Sequence, residues 1–165
     1  MQASPSPTLD RVHAIVLVLG AALIAAYWAA FFLTDWTKPD FVHDPAMARE
    51  AAVYLGFEGA FPLPDGFVAV CLLLAGLNLS GGRPAAILFG LVGAGGLMFL
   101  ALIDIFFNIT QRLYAPALLA HDLGMQMEVV INLDCLFGAI WTINRLWGHP
   151  LRFERGQSSG KPLRS

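Results

Sequence analysis

Four long stretches of apolar residues, separated by polar segments, dominate the pattern of this chain. They cover approximately residues 12–34, 65–80, 84–108 and 127–147. A helix crosses a hydrocarbon core about 30 Å thick with roughly 20 apolar residues. Continuous apolar runs of this kind are typical of membrane spans rather than of buried soluble helices. The pattern therefore predicts an all-α fold, a bundle of four transmembrane helices over residues 12–148.

The polar segments predict how these spans are connected. The Asp44-Pro45 pair is typical of a helix start, with an N-cap followed by Pro at the first helical position. It predicts a short helix from Pro45 to about Gly59, lying at the membrane surface in the first outer loop. The tight turn at residues 80–84 makes the second and third spans antiparallel neighbours. The Ser- and Pro-rich residues 1–11 and the basic residues 149–165 are predicted to be tails, the first of them disordered.

Composition supports the membrane interpretation and excludes several classes of protein. Hydrophobic residues make up 57% of the 165 residues and charged residues only 13%, whereas soluble domains carry about 25% charged residues. No basic patch indicates a nucleic-acid partner. The two cysteines form no CxxC motif, and no motif predicts a cofactor. Arg in preference to Lys, with abundant Ala, Gly and Leu, is typical of a GC-rich bacterial genome.

Charged residues are distributed unequally between the two ends of the predicted bundle, which predicts its orientation. Seven of the ten Lys and Arg lie at the end that holds both termini: Arg11, Arg83, Arg145, Arg152, Arg155, Lys161 and Arg164. The two other loops carry three, namely Lys38, Arg49 and Arg112. Because cytoplasmic loops are enriched in basic residues, both termini are predicted to be cytoplasmic, in a multi-pass protein of the bacterial inner membrane.

Polar side chains converge at the outer end of the third and fourth spans. Asp104, Asn108 and Gln111 are spaced i, i+4, i+7 and therefore share one face of a helix. Glu128 and Asn132 have the same i, i+4 spacing at the start of the fourth span. At 1.5 Å per residue, Asp104 and Glu128 come to similar depth in the two spans. Glu58, near the start of the second span, is predicted to join them. The predicted site is therefore Glu58, Asp104, Asn108, Glu128 and Asn132.

Further polar residues at the same end are candidate contributors: Asp35, Asp65, Gln111, Tyr114 and Asp134. Asp134 lies six residues into the fourth span and about 240° around the helix from Glu128, or about 120° by the shorter way. Ionisable side chains at that depth usually face a bundle interior or a wet cavity. Asp134 is therefore expected to meet a different neighbour, or to be a neutral carboxylic acid.

Several carboxylates and amides at one end of a helix bundle are suited to binding a cation, either a hard metal ion or an organic ammonium. The metal is not identified by the pattern, although zinc is disfavoured because His43 and His121 lack ligand spacing. Carboxylates at helix ends are also common as plain caps, and amide–carboxylate pairs as structural networks. A third hypothesis, an enzyme that modifies lipids, has no nucleophile motif in its support.

Small residues on the third span offer an alternative function. Ala86, Gly90 and Ala94 recur at intervals of four, a spacing that lets helices approach closely in lipid. They would dock a membrane-protein partner or a second copy. The chain would then be an accessory or assembly subunit of a membrane complex.

Three polar segments carry a resemblance to other proteins. The stretch Phe57-Glu-Gly-Ala-Phe-Pro-Leu-Pro-Asp65, the pair Asp104 and Asn108 with Tyr114, and the pair Glu128 and Asn132 resemble segments of small uncharacterised bacterial four-span membrane proteins. The resemblance covers about residues 14–147. It implies the four-span fold and brings no activity with it.

A weaker resemblance is to the EXPERA-type bundle of sterol isomerases and the sigma-2 receptor. It rests on Asp44-Pro45, Glu58 and the Pro-containing start of the second span. Such proteins bind sterols or cationic amphiphiles through acids in the bundle, which implies a lipid-like or cationic small molecule here. The His-containing acid pair of the isomerases has no counterpart in this chain.

Overall fold

A computed structural model describes residues 7–149, and these residues are helical with no strand. The α-helices are α1 (Pro7–Leu33), α2 (Ala48–Glu58), α3 (Pro62–Ser80), α4 (Ala85–Thr110), α5 (Pro116–Leu119) and α6 (Leu123–Trp147). Within the described part, α1, α3, α4 and α6 are long and apolar enough to cross a membrane. The predicted all-α four-span bundle is confirmed.

Three spans begin earlier than the hydropathy pattern predicts, because prolines and polar residues form their first turns. α3 begins at Pro62 rather than near residue 65. α1 begins at Pro7 rather than near residue 12, and Pro is tolerated in a first helical turn because it lacks only an unused N–H. α6 begins at Leu123 rather than near residue 127, since the Asp122 carboxylate caps it by accepting a hydrogen bond from Met125 N at 3.0 Å. The predicted tails at residues 1–6 and 150–165 lie outside the described residues.

The predicted short helix in the first outer loop is present. The Asp44 side chain accepts a hydrogen bond from Ala46 N at 2.8 Å. A 3₁₀ turn at Pro45–Met47 follows Asp44 in the chain, and α2 begins directly after that turn. α2 packs over the end of the bundle, where the Phe57 ring stacks on Phe107 of α4 with centroids 3.7 Å apart. The loops and α2 thus form one covered end of the bundle, which we call the loop end.

The four spans pack in chain order, α1 on α3, α3 on α4 and α4 on α6. α6 buries a narrow stripe of side chains at intervals of three, four or seven residues, the spacing of a helix–helix seam. The stripe comprises Met125, Glu128, Asn132, Ala139, Thr142 and Leu146. Half of its residues are apolar, and two of the polar ones, Glu128 and Asn132, lie toward the loop end.

The small residues of α4 are used inside this chain. Ala86, Gly90 and Ala94 are all buried, and a Cβ on Gly90 would overlap Cδ1 of Leu146 on α6 and meet Ala75 on α3. In the single chain these three residues are thus covered by α3 and α6 of the same bundle. Close packing of α4 between its own neighbours accounts for the small residues.

α1 and α6 meet at the end of the bundle opposite the loop end. Arg145 donates a hydrogen bond to Asp10 at 2.9 Å. Deeper in the bundle, the buried His13 Nε2 lies 3.3 Å from the Thr142 hydroxyl. Both ends of the described chain therefore lie at the same end of the bundle, as an even number of antiparallel spans requires.

Candidate functional site

Three carboxylates from three helices converge at the loop end of the bundle. Glu58 is the last residue of α2, Asp104 lies on α4 and Glu128 lies on α6. One oxygen from each lies within 4.8 Å of the other two. Glu58 and Glu128 expose only 5% and 6% of their surface. These three residues are called the carboxylate cluster below.

Two asparagines join the carboxylate cluster from the same helix faces. Asn108 follows Asp104 by one turn of α4, and its Nδ2 donates to Asp104 Oδ1 at 3.0 Å and to Glu128 Oε1. Asn132 follows Glu128 by one turn of α6, and its Nδ2 donates to Asp104 Oδ2 at 2.5 Å. The amides thus cross-link α4 and α6 through the carboxylates, and each amide relies on the i, i+4 spacing that places it beside its own helix's acid.

Tyr54, which the sequence pattern did not single out, completes the shell around Glu128. Its hydroxyl donates to Glu128 Oε2 at 2.9 Å, and the side chain is fully buried. Burial and the nearby Glu128 and Glu58 carboxylates raise the pKa of the Tyr54 hydroxyl, so it remains a protonated donor. A sequence signal existed, because Tyr54 and Glu58 are spaced i, i+4 on the predicted loop helix.

Glu58 differs from the other two acids because it accepts no hydrogen bond from residues 7–149. Burial, followed by repulsion from Glu128, Asp104 and Asp65, raises the pKa of Glu58 from 4.5 to about 9. A second atom is also left unsatisfied, since the Asn108 Oδ1 is buried without a hydrogen-bond partner. Buried polar atoms are normally paired, and both of these unpaired groups belong to the same site.

Among residues 7–149, no basic side chain forms an ion pair with the carboxylate cluster. The ion pairs in this part of the chain are Lys38 with Asp35, and Arg145 and His149 with Asp10. Buried charges in proteins are usually paired or coordinate metal ions, so negative charge on these acids has no counter-charge among the described residues.

The structure brings together the five predicted site residues: Glu58, Asp104, Asn108, Glu128 and Asn132. Among the candidate contributors, Tyr114 joins them, because its hydroxyl accepts a hydrogen bond from Asn132 Nδ2 at 3.0 Å. Burial raises the pKa of the Tyr114 hydroxyl. Asp65 lies at the same end but is held by Trp28, whose Nε1 donates to Asp65 Oδ2 at 2.8 Å.

Three other candidate contributors lie outside the site. Asp35 is exposed in the loop after α1 and pairs with Lys38 at 2.9 Å, which lowers the pKa of its carboxyl. Gln111 is exposed just beyond the end of α4. Asp134 is exposed on α6, on the side away from the seam with α4, because it lies two residues from the seam residue Asn132.

Comparison of the chain with protein-family models, curated proteins and solved structures found no match. The geometry and chemistry of the site are therefore the basis for assigning a function.

Proposed function

We propose that this protein is a multi-pass protein of the bacterial inner membrane that binds a small inorganic cation at the carboxylate cluster. The proposal keeps both termini in the cytoplasm, in accordance with the Lys and Arg distribution. The loop end, and with it the site, would then face outward. Four apolar helices of membrane-spanning length support the membrane assignment.

The observation that carries the proposal is the proximity of three buried acids without a basic partner among the described residues. Two ionised carboxylates within 4.8 Å of each other repel by roughly 3.5 kcal/mol or more at an effective dielectric constant of about 20. Such a cluster is stable only if its acids are protonated or if a cation neutralises them. Binding of a divalent ion removes both the repulsion and the need for protons.

The available ligand atoms are oxygens, which favours a hard cation such as Ca²⁺, Mg²⁺ or Mn²⁺. Glu58, Asp104 and Glu128 each offer a carboxylate oxygen, and the unpaired Asn108 Oδ1 offers a neutral one. Tyr54 and Asn132 act around this set by holding the carboxylates in position. Outer hydrogen-bond partners of this kind orient metal ligands.

Burial favours a small ion over the organic amphiphile that the sequence left open. Glu58, Asn108, Glu128 and Asn132 each expose 6% of their surface or less. A drug-sized ligand needs a cleft of roughly 300 Å³ or more, whereas a bare cation fits between converging oxygens. The α2 helix covers the site from the loop end, through Tyr54 and Glu58.

Thermal unfolding of the purified, chelator-treated protein in detergent tests the proposal. Addition of CaCl2, MgCl2 or MnCl2 at 100 times the dissociation constant is expected to stabilise the wild-type protein by about 2.7 kcal/mol. The double variant Asp104→Asn, Glu128→Gln is expected to lose this response. Asp35→Asn, which removes an exposed carboxylate paired with Lys38, is the control and should respond as the wild type does.

A second candidate function is a structural one, favoured by the hydrogen bonds that join α4 to α6 through Asn108 and Asn132. In that case the network would stabilise an accessory subunit and bind no ion. The same unfolding experiment separates the two functions: if none of the three cations stabilises the wild-type protein, the structural role is supported and the cation site is rejected.

A further inference from the structure

Asp134 occupies an unusual position on the surface of α6. It lies 11 residues after Leu123 and 13 before Trp147, or about 17 Å and 20 Å from the two helix ends at 1.5 Å per residue. Its side chain is exposed, so in a membrane it faces the hydrocarbon near mid-depth. Ionisable residues at this depth almost always face a bundle interior or pair with another group.

In the described part of the chain, Asp134 neither faces the bundle interior nor pairs with another group. Across residues 7–149, Asp134 takes part in no hydrogen bond and no ion pair. It is also separate from the carboxylate cluster, because Asn132, two residues earlier, faces α4. Asp134 is therefore an acid on the outer surface of the bundle, and none of the residues that the structure describes supplies its partner.

The surroundings of Asp134 form a helix-sized apolar surface. At about 100° per residue, five residues share one side of α6 opposite the seam. They are Val130, Asp134, Phe137, Gly138 and Trp141, and of these Trp141 also contacts α1, where its ring centroid lies 4.5 Å from that of His13. Val130, Phe137 and Trp141 are 57%, 68% and 40% exposed. We call this set the outer face of α6.

Gly138 makes this face suited to another helix. It lies one turn from Asp134, and a Cβ built on it would meet nothing within 4 Å. In contrast to Gly90, it serves no packing inside the described chain. A small residue beside a polar one allows the backbone of a second helix to approach, so that the polar group can be reached.

A second copy of this chain does not supply the missing charge. The basic residues of the described part are Arg11, Lys38, Arg49, Arg83, Arg112 and Arg145, and all lie near the ends of spans or outside them. The four others follow α6 in the sequence. Two copies meeting at this face would place two acids against each other. Charge complementarity therefore favours a different protein.

We propose that the outer face of α6 docks a transmembrane helix of another protein, and that this helix carries a lysine or arginine at the depth of Asp134. The basic side chain pairs with the Asp134 carboxylate, and the partner backbone packs over Gly138. The proposal is independent of cation binding, because it uses no residue of the carboxylate cluster.

Fluorescence energy transfer in phosphatidylcholine vesicles tests this interaction. The full-length protein carries a donor, and the probe is a synthetic leucine–alanine transmembrane helix with one central lysine and an acceptor. Matched helices carry leucine or glutamate in place of the lysine. The lysine helix is expected to bind about ten-fold more tightly than the leucine helix, and Asp134→Asn is expected to abolish that preference.

A relocated carboxylate serves as the matched control. The hydrogen bond between Asn132 and Asp104 shows that these two residues lie at the same depth in α6 and α4. The two helices are antiparallel, so Asp134 and Leu102, each two residues further from the loop end, also lie at the same depth. Leu102 is 52% exposed. The variant Asp134→Leu, Leu102→Asp should bind the lysine helix more weakly than the wild type, because the open glycine on that side of α4, Gly95, lies two turns from the acid rather than one. Equal binding of lysine and leucine helices to the wild type would overturn the proposal, as would Asp134-dependent self-association of the protein.

Discussion

The Tyr54 hydroxyl lies 2.9 Å from Glu128 Oε2, and this hydrogen bond joins the loop helix α2 to the membrane helix α6. Both side chains are buried, at 0% and 6% exposure. The contact closes the loop end of the bundle over the carboxylate cluster. It also makes the geometry of Glu128 depend on a residue 74 positions away in the sequence.

Tyr54→Phe is expected to destabilise the protein by about 1–3 kcal/mol, because the buried Glu128 carboxylate loses a hydrogen-bond donor. Thermal unfolding in detergent measures this loss. Tyr114→Phe is the comparison variant, and its loss should be smaller. Tyr114 accepts a hydrogen bond from Asn132, which keeps its second bond to Asp104. Equal losses would contradict a special role for the Tyr54 contact.

Glu58→Gln tests whether the loop helix contributes a cation ligand. Because Glu58 accepts no hydrogen bond from the described residues, its replacement breaks no contact and removes one ionisable ligand group. The raised pKa of Glu58 keeps its carboxyl protonated in the folded protein at neutral pH, and an amide avoids the cost of holding that proton. We therefore expect the cation-free variant to be more stable than the wild type at neutral pH, and to bind a divalent cation at least about ten-fold more weakly, the ratio for 1.4 kcal/mol. Isothermal titration with CaCl2 and MnCl2 measures the affinity. The control is Glu50→Gln, an exposed acid on the same helix.

The pH dependence of stability follows from the pKa of Glu58, which burial and neighbouring acids raise from 4.5 to about 9. The folded state holds this proton more tightly than the unfolded state does, so stability falls as pH rises between these two values. The contribution of Glu58 to the free energy of unfolding is fully present below pH 4.5 and is lost by about pH 9. Unfolding free energies of the cation-free protein should therefore decline across this range, and Glu58→Gln should flatten the decline.

Cation affinity should change in the opposite direction with pH. A cation competes with the Glu58 proton, so the affinity for Ca²⁺ or Mn²⁺ is expected to increase from pH 6 toward about pH 9 with release of a proton. Titrations in buffers of different ionisation enthalpy measure that release. Affinity that stays constant over this range would show that Glu58 is not a ligand.

Helix packing predicts a contrast between two glycines. A Cβ at Gly76 would lie 2.8 Å from the backbone oxygen of Ala14 and 2.7 Å from Val18 Cγ2, so α1 and α3 would have to separate. We expect Gly76→Ala to cost about 1–3 kcal/mol, measured by thermal unfolding. Gly95→Ala should cost nothing or stabilise α4, because a Cβ there would meet nothing within 4 Å. If Gly76→Ala is as stable as Gly95→Ala, the α1–α3 approach is looser than described.

The four spans and most residues of the site could be predicted from local patterns. Hydropathy over about 20 residues predicts a span because lipid requires every such segment to be apolar and helical. The i, i+4 pairs Asp104–Asn108 and Glu128–Asn132 were predictable because they need only the helical repeat. The helix starts at Pro7 and Leu123 were missed because their first turns are polar and are held by a proline and a side-chain cap.

The sequence by itself thus determined the number of spans, the short loop helix and which polar residues share a helix face, since these depend on composition and on the 3.6-residue period. Only the tertiary structure decided how each helix is rotated about its axis and which neighbour it meets. That rotation turns Gly90 inward against Leu146, turns Asp134 outward, and brings Tyr54 and Glu58 onto Glu128. The physical reason is that helix rotation is set by the complementary packing of whole helix surfaces, which no single segment specifies.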